Sequence, residues 1–184
     1  MSVRITGGQL KGRMIHFRAS KALRPTTAMV RGAIFTILGS NRLEGARVLD
    51  LFSGTGGMGI EAISRGAQYV DFIELDSRRC KEIRTILKDF KIDQKAKVTY
   101  GNAIDKIDNL DRSYDLLFAD PPYGYEKWDK LLAKIEKSQI MKRGSVAIFE
   151  TSKHENHNFG SSKLIMKTQR KYGDSIISMY LSNG

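Results

Sequence analysis

Residues 48–66 read VLDLFSGTGGMGIEAISRG: an apolar run, a glycine-rich turn and a second apolar run. Gly54, Gly56 and Gly59 fall in the spacing G-x-G-x-x-G, after a predicted strand over residues 47–52 and before a predicted helix over 57–65. Glycines at such a turn let backbone approach a ligand closely, and an acid at the end of the next strand can grip ribose hydroxyls. Glu74 stands 20 residues after Gly54, where that acid belongs. The pattern restricts the chain to α/β folds with a ligand crevice at the carboxyl ends of parallel strands.

The rest of the chain keeps the rhythm. Strands are predicted over residues 69–75, 97–100, 114–119 and 145–150, with helices over 77–90 (capped by Ser77) and 126–138. Residues 163–171 and 175–181 form a closing antiparallel pair that turns at Tyr172-Gly173-Asp174. Near-continuous apolar strands separated by helices imply a parallel sheet covered on both faces. Ahead of this unit, residues 3–17 suggest a hairpin and Leu23-Arg24-Pro25 an extended segment. A helix capped by Thr26 or Thr27 then runs to about Leu38 and stops at Gly39, with apolar stripes Met29, Ala33, Ile37 and Val30, Ile34, Leu38.

The glycine turn suits NAD and S-adenosylmethionine almost equally. Asp50, inside the end of the first strand, favours the methyl donor, because a carboxylate there can meet the ammonium of its methionine part; a loop-bracing acid is the plainer reading. Strand YDLLFA then runs into Asp120, Pro121, Pro122 and Tyr123. The carboxyl ends of strands one and four flank the switch point of a doubly wound sheet, so this tetrad should face the glycine turn. An exocyclic amine on a base is a poor nucleophile, since its lone pair is delocalised into the ring. Asp120 and the Pro121 carbonyl can each accept one amine hydrogen, the prolines fix the backbone, and Tyr123 offers a face for stacking. These four residues are the candidate catalytic set, and the reaction needs no metal.

Charge points to the substrate class. Lys and Arg number 31 against 20 Asp and Glu, a net +11, and residues 1–43 hold +8 of it with no acid at all. A basic arm on a near-neutral body is an electrostatic footprint for a polyanion. Arg4, Lys11, Arg13, Arg18, Arg24 and Arg31 are the candidate contacts to such a polyanion, a nucleic acid above all. The division expected is a basic hairpin and helix over 1–43 and a catalytic domain over 44–184. A lone cysteine, Cys80, excludes an internal disulfide framework, and no apolar run is long enough for a membrane span; a cytoplasmic monomer is the expectation. His16, His154 and His157 form no ligand set, and His154 and His157 read as solvated surface, while Trp128 reads as core rather than as a shield over the crevice.

DPPY with DLFSGTG resembles the class I amino-methyltransferases. RITGGQLKGR, LRPTTAMVRGAIFTIL, LDLFSGTGGMGIEAISRGA and RKYGDSIISMY together are similar to the bacterial RsmD family, over nearly the whole chain. The resemblance implies a Rossmann-like, seven-stranded class I methyltransferase sheet with a small N-terminal hairpin and helix extension. It implies S-adenosylmethionine contacts at Asp50, Phe52, Gly54, Gly56, Glu74, Leu75, Asn102, Ala103 and Asp120, with Arg24 and Thr26 near cofactor and RNA. By composition Asn102 could equally be a helix cap. The implied reaction is methylation of a guanine N2 in 16S ribosomal RNA, on the 30S subunit or an assembly intermediate. Family members commonly carry Glu where this chain has Gly32. Amino-methylation of another base or of a protein glutamine, a dinucleotide-dependent oxidoreductase, and a non-catalytic RNA-binding module are the rival readings; the last two leave DPPY without a purpose.

Overall fold

The apolar runs become a parallel sheet because helices cover both of its faces. A computed structural model describes residues 1–18, 26–155, 157 and 159–184; the expected extended segment Leu23-Arg24-Pro25, and with it Arg24, lies outside the described residues. In chain order the elements are β1 (Ser2–Arg4), β2 (Met14–His16), α1 (Ala28–Leu38), β3 (Arg47–Leu51), α2 (Gly57–Ser64), β4 (Tyr69–Glu74), α3 (Ser77–Asp89) and β5 (Ala96–Tyr100). They continue as α4 (Ala103–Ile107), β6 (Tyr114–Ala119), α5 (Trp128–Lys137), β7 (Met141–Ser152), β8 (Leu164–Tyr172) and β9 (Ser175–Ser182). The main sheet runs β5-β4-β3-β6-β7-β9-β8, parallel as far as β7 and antiparallel at β9 and β8. The order reverses direction between β3 and β6, which puts a ligand crevice at their carboxyl ends.

The strand period of two sorts side chains between the faces. Val48, Phe72, Leu116, Phe118, Val146 and Ile148 pack under α1, α2, α3 and the hairpin β1–β2. Leu49, Leu51, Leu117, Ala119, Ala147 and Phe149 pack on the other face, with Trp128, Leu131 and Phe159. Trp128 is core, as expected, ringed by Tyr125, Phe149 and Phe159. The boundary at residue 43 has no physical seam: Val3, Ile5, Ile15, Phe17, Val30, Ile34 and Phe35 belong to the same buried cluster as the sheet. The hairpin turn is tied to the end of α2, where Gln9 N–H donates to the Ser64 carbonyl and the Ser64 hydroxyl to the Gly7 carbonyl.

Several local expectations change. Helix α1 is capped by Thr27 and stops at Gly39, but it buries Val30, Arg31, Ile34, Phe35 and Leu38, leaving Met29 73% exposed. The stripe Met29, Ala33, Ile37 is therefore not its inner face. Asp76, one residue before the expected Ser77, caps α3 by accepting from Arg78 N–H. Helix α4, absent from the sequence reading, follows β5 and is capped by Asn102. No helix among the described residues is long and apolar enough to cross a membrane.

Candidate active site at the carboxyl ends of the central strands

Alternation along three neighbouring parallel strands fixes the site. Asp50 follows Val48 in the row that faces α2. Asp120 continues the row Leu116–Phe118, and Glu150 the row Val146–Ile148. Asp120 and Glu150 each come one residue after the last aligned pair, Ala119 with Phe149. Three carboxyls thus lie toward the same face of the sheet, at the ends of β3, β6 and β7.

Asp50 is 3% exposed, and its Oδ2 accepts the Gly59 N–H at 2.9 Å. It braces the glycine turn from beneath, as the plainer reading had it. Burial pushes its carboxyl up to about 8 against the counter-effect of that hydrogen bond, and Glu74 adds to the rise. A buried acid held this high is poised to ionise beside a cation, which is what an amino-acid ammonium would supply. Glu74 accepts Gly54 N–H at 2.7 Å on one oxygen and Asp76 N–H at 2.8 Å on the other. A carboxylate has about four lone-pair sites, so two stay available for a ribose diol.

The turn between these acids carries its own signal. Phe52 is a non-glycine residue at φ +58°, and its ring meets the edge of Tyr125 at 5.2 Å. Such a conformation in a bulky residue is uncommon and clusters at ligand sites. Gly54 and Gly56 are also left-handed, at φ +53° and +73°. Leu75 stands 62% exposed at the end of β4, an apolar surface suited to a flat ring. Asn102 spends its Oδ1 on the Ile104 N–H, so its cap role is realised, while Ala103 is buried beside it. Buried acid, ribose-competent acid, open turn and apolar rim lie along the ends of β3, β4 and β5, and together they fit S-adenosylmethionine.

Across the crevice, Asp120 receives a hydrogen bond from the Thr26 hydroxyl at 3.2 Å. Thr26 lies equally near Glu150, at 3.2 Å, and the Ser175 hydroxyl donates to the other Glu150 oxygen at 2.6 Å. Burial, then repulsion from Glu150, raises the Asp120 carboxyl well above the usual range. Burial likewise raises Glu150, against the hydrogen bonds from Ser175 and Thr26. Pro121 is buried, and Tyr123 is 45% exposed with its hydroxyl 3.4 Å from Ser175. The loop after the tetrad is pinned where Gly124 N–H donates to Glu155 at 2.6 Å. His157 joins that lock rather than solvent: it pairs with Glu155 at 3.2 Å and its ring stacks on Phe159.

Glu150 and Ser175 were missed by the sequence reading. The available signal was parity: SVAIFE ends in an acid on an apolar strand, as YDLLFAD does. Arg31 is a correction. It is 1% exposed, its guanidinium pairs with Glu61 at 3.1 Å and donates to the Thr26 and Arg4 carbonyls, and so it braces the fold and is not an RNA contact. That bracing sets the Thr26 segment over the carboxyls. The other basic candidates do not converge. Arg18 N–H reaches Glu82 midway along α3, while Arg13 donates to the Asp89 carbonyl at its far end and stacks on Phe90 at 3.9 Å. Thirteen residues of helix span about 20 Å at 1.5 Å each, so Arg13 sits well away from the crevice. Arg4, Lys11 and Arg18 are exposed.

Comparison with known proteins agrees with this geometry. YlbH of Bacillus subtilis is 30% identical over 99% of this chain and 100% of its own length. The ribosomal RNA small subunit methyltransferase D of Buchnera aphidicola (from Acyrthosiphon pisum) is 31% identical over 83% of this chain and 79% of its own. The solved structure of YhhF from Escherichia coli superimposes with a TM-score of 0.91 over 100% of this chain and 99% of that one, at 23% identity, a likeness of fold. A family model described as conserved hypothetical protein 95 matches residues 3–181, and with these relatives it shows that the chain belongs to the RsmD family.

Proposed function

We propose that this chain transfers a methyl group from S-adenosylmethionine to the exocyclic N2 of a guanine in 16S ribosomal RNA, of the guanine-966 type. The observation that carries the reading is the position of Asp120. A half-buried carboxyl starts the DPPY tetrad at the switch point, with an exposed Tyr123 ring beside it and the cofactor-type wall of Asp50 and Glu74 opposite. The relatives named for ribosomal RNA methylation and the basic N-terminal segment support RNA as the substrate.

S-adenosylmethionine supplies a methyl group already activated on a sulfonium. What the chain adds is placement. Asp50 would hold the methionine ammonium and Glu74 the ribose hydroxyls of the cofactor, with the apolar side chains of Phe52 and Leu75 as bordering surfaces. Asp120 accepts one hydrogen of the base amine, which turns the nitrogen lone pair toward the methyl, and the rigid Pro121-Pro122 backbone fixes the second acceptor. Tyr123 stacks on the base. Guanine N2 is occupied in a Watson–Crick pair, so the target must be unpaired or flipped into the crevice.

The test is transfer of labelled methyl to 30S particles from cells lacking the gene, followed by nucleoside digestion. Label in N2-methylguanosine is the expected result. Label in N6-methyladenine would keep the chemistry and overturn the substrate; no cofactor binding would overturn the reading as a whole.

A further inference from the structure

We propose that Glu150 is the proton partner of Asp120: the two carboxyls hold a single proton between them, and the Thr26 hydroxyl passes it from one to the other. This rests on the methyl-transfer reading but concerns Glu150 and Thr26, which lie outside the DPPY tetrad.

Hydrogen counting carries the argument. Thr26 Oγ1 stands 3.2 Å from Asp120 Oδ2 and 3.2 Å from Glu150 Oε2. A hydroxyl has one hydrogen. With both acids ionised, one of those contacts would set lone pair against lone pair. With one proton on the pair, the protonated acid donates to Thr26 and Thr26 donates to the other acid, so both contacts are hydrogen bonds. Among the described residues, the groups that face the pair are Asp50 on β3, Thr26 before α1, Ser175 at the start of β9 and Tyr123 in the tetrad. Burial raises both acids, and repulsion from Glu150 adds to the rise of Asp120, which agrees with a shared proton.

The pair then has a task in the reaction. As the amine nitrogen bonds to the methyl carbon, the carbon–sulfur bond breaks with its electrons left on sulfur, and nitrogen holds one proton too many. Asp120 can take that proton only if it is ionised, so the resident proton must wait on Glu150. After transfer the pair holds two protons. One leaves to water on the Glu150 side, where Ser175 and the exposed Tyr123 hydroxyl form the path. Asp120 touches the reacting amine; Glu150 and Thr26 act through it as positioning residues.

Two measurements test this together: the pH profile of single-turnover transfer at saturating S-adenosylmethionine, and thermal unfolding of the free protein over the same pH range. In the wild type Asp120 should ionise in two steps, the second as the shared proton leaves the pair; Glu150→Gln leaves a single ionisable acid, so the limb should collapse to one step at or below the upper wild-type step. Thr26→Val removes a hydrogen bond that favours ionised Asp120, so the limb should move up, while Thr26→Ser should keep it in place. In the free protein the raised acids contribute stability that is present at low pH and lost as pH rises through their folded values; Glu150→Gln should flatten that loss. Equal slowing at every pH with an unmoved limb and an unchanged stability curve would overturn the proposal and leave Glu150 a structural brace. If the wild type transfers no methyl group, the methyl-transfer reading has failed, and the unfolding curves still decide whether the pair shares a proton.

Discussion

Asp50 shows how one buried acid can serve both fold and ligand. Its carboxyl, raised to about 8, is neutral in the free protein at neutral pH, whereas in the unfolded chain it ionises near 4. The sign follows: the free protein is favoured below pH 4 and loses Asp50's contribution as pH rises toward 8. A bound ammonium reverses the preference, so cofactor binding should release a proton below pH 8. S-adenosylmethionine affinity is therefore expected to rise from pH 6 to 8, by up to about tenfold per unit. Asp50→Asn should bind more weakly and without that slope, and calorimetric titration at several pH values measures both; a wild-type affinity independent of pH contradicts the assignment. Asp120 has the complementary signature. Asp120→Ala should slow turnover by at least about 10²-fold, the scale of losing one preorganised polar group, while cofactor affinity stays mostly intact. These two acids were legible in the sequence because each ends an apolar strand beside a recognisable turn. Glu150 was not, since nothing after it resembles a motif and only the shared register of β6 and β7 brings it level with Asp120.

At the scale of elements, two glycines in helices illustrate opposite demands. Gly59 in α2 lies flat on β4: a Cβ there would come within 2.3 Å of Phe72 Cε1 and 2.8 Å of Val70 Cγ1, both on buried side chains. Gly32 in α1 would place a Cβ no nearer than 3.8 Å to Thr6 Oγ1. Gly59→Ala should thus cost about 1–3 kcal/mol through overpacking, in spite of alanine's helical preference. Gly32→Ala should stabilise by up to about 1 kcal/mol, the usual gain in a helix interior. Urea unfolding of both variants reads the two signs, and a stable Gly59→Ala would mean that α2 can lift from the sheet. The same contrast explains what the sequence disclosed. Strands β3, β4 and β6 and helices α2 and α3 were readable because their apolar periods are long. The five-residue α4 carries too short a period to register, and Asn102 was left between two roles. On α1 the expected stripe Val30, Ile34, Leu38 is buried, but Arg31 and Phe35 take the place beside it that Met29, Ala33 and Ile37 were expected to fill, since no periodicity rule puts an arginine in a core. The Glu61 partner, 30 residues on, and the Thr26 and Arg4 carbonyls make that burial tolerable.

For the molecule as a whole, the +8 of residues 1–43 divides into charge that holds the fold together and charge that meets solvent. Arg31 belongs to the first kind, paired with Glu61, which also receives Arg65 at 2.8 Å and a hydrogen bond from Thr6. Removing one partner of a buried pair leaves an uncompensated charge, typically at a cost of about 3–5 kcal/mol. Arg31→Met should fall at the lower end of that range, since Arg65 stays on Glu61. Arg18 belongs to the second kind: it is exposed beside α3. If this surface carries the RNA backbone, each lost phosphate contact lowers the slope of log affinity against log salt by about 0.7–0.9. Arg18→Ala should therefore reduce the slope by that amount and leave the melting temperature of the free protein unchanged. Arg31→Met should do the reverse, lowering the melting temperature while the slope of the folded fraction holds. Arg13→Ala separates the two descriptions further: its guanidinium already stacks on Phe90 and donates to Asp89, about a helix length from the catalytic edge. A slope change for Arg13→Ala as large as that for Arg18→Ala would place RNA along the whole of α3. A slope change for Arg18→Ala alone would confine it to the half of α3 nearer the crevice.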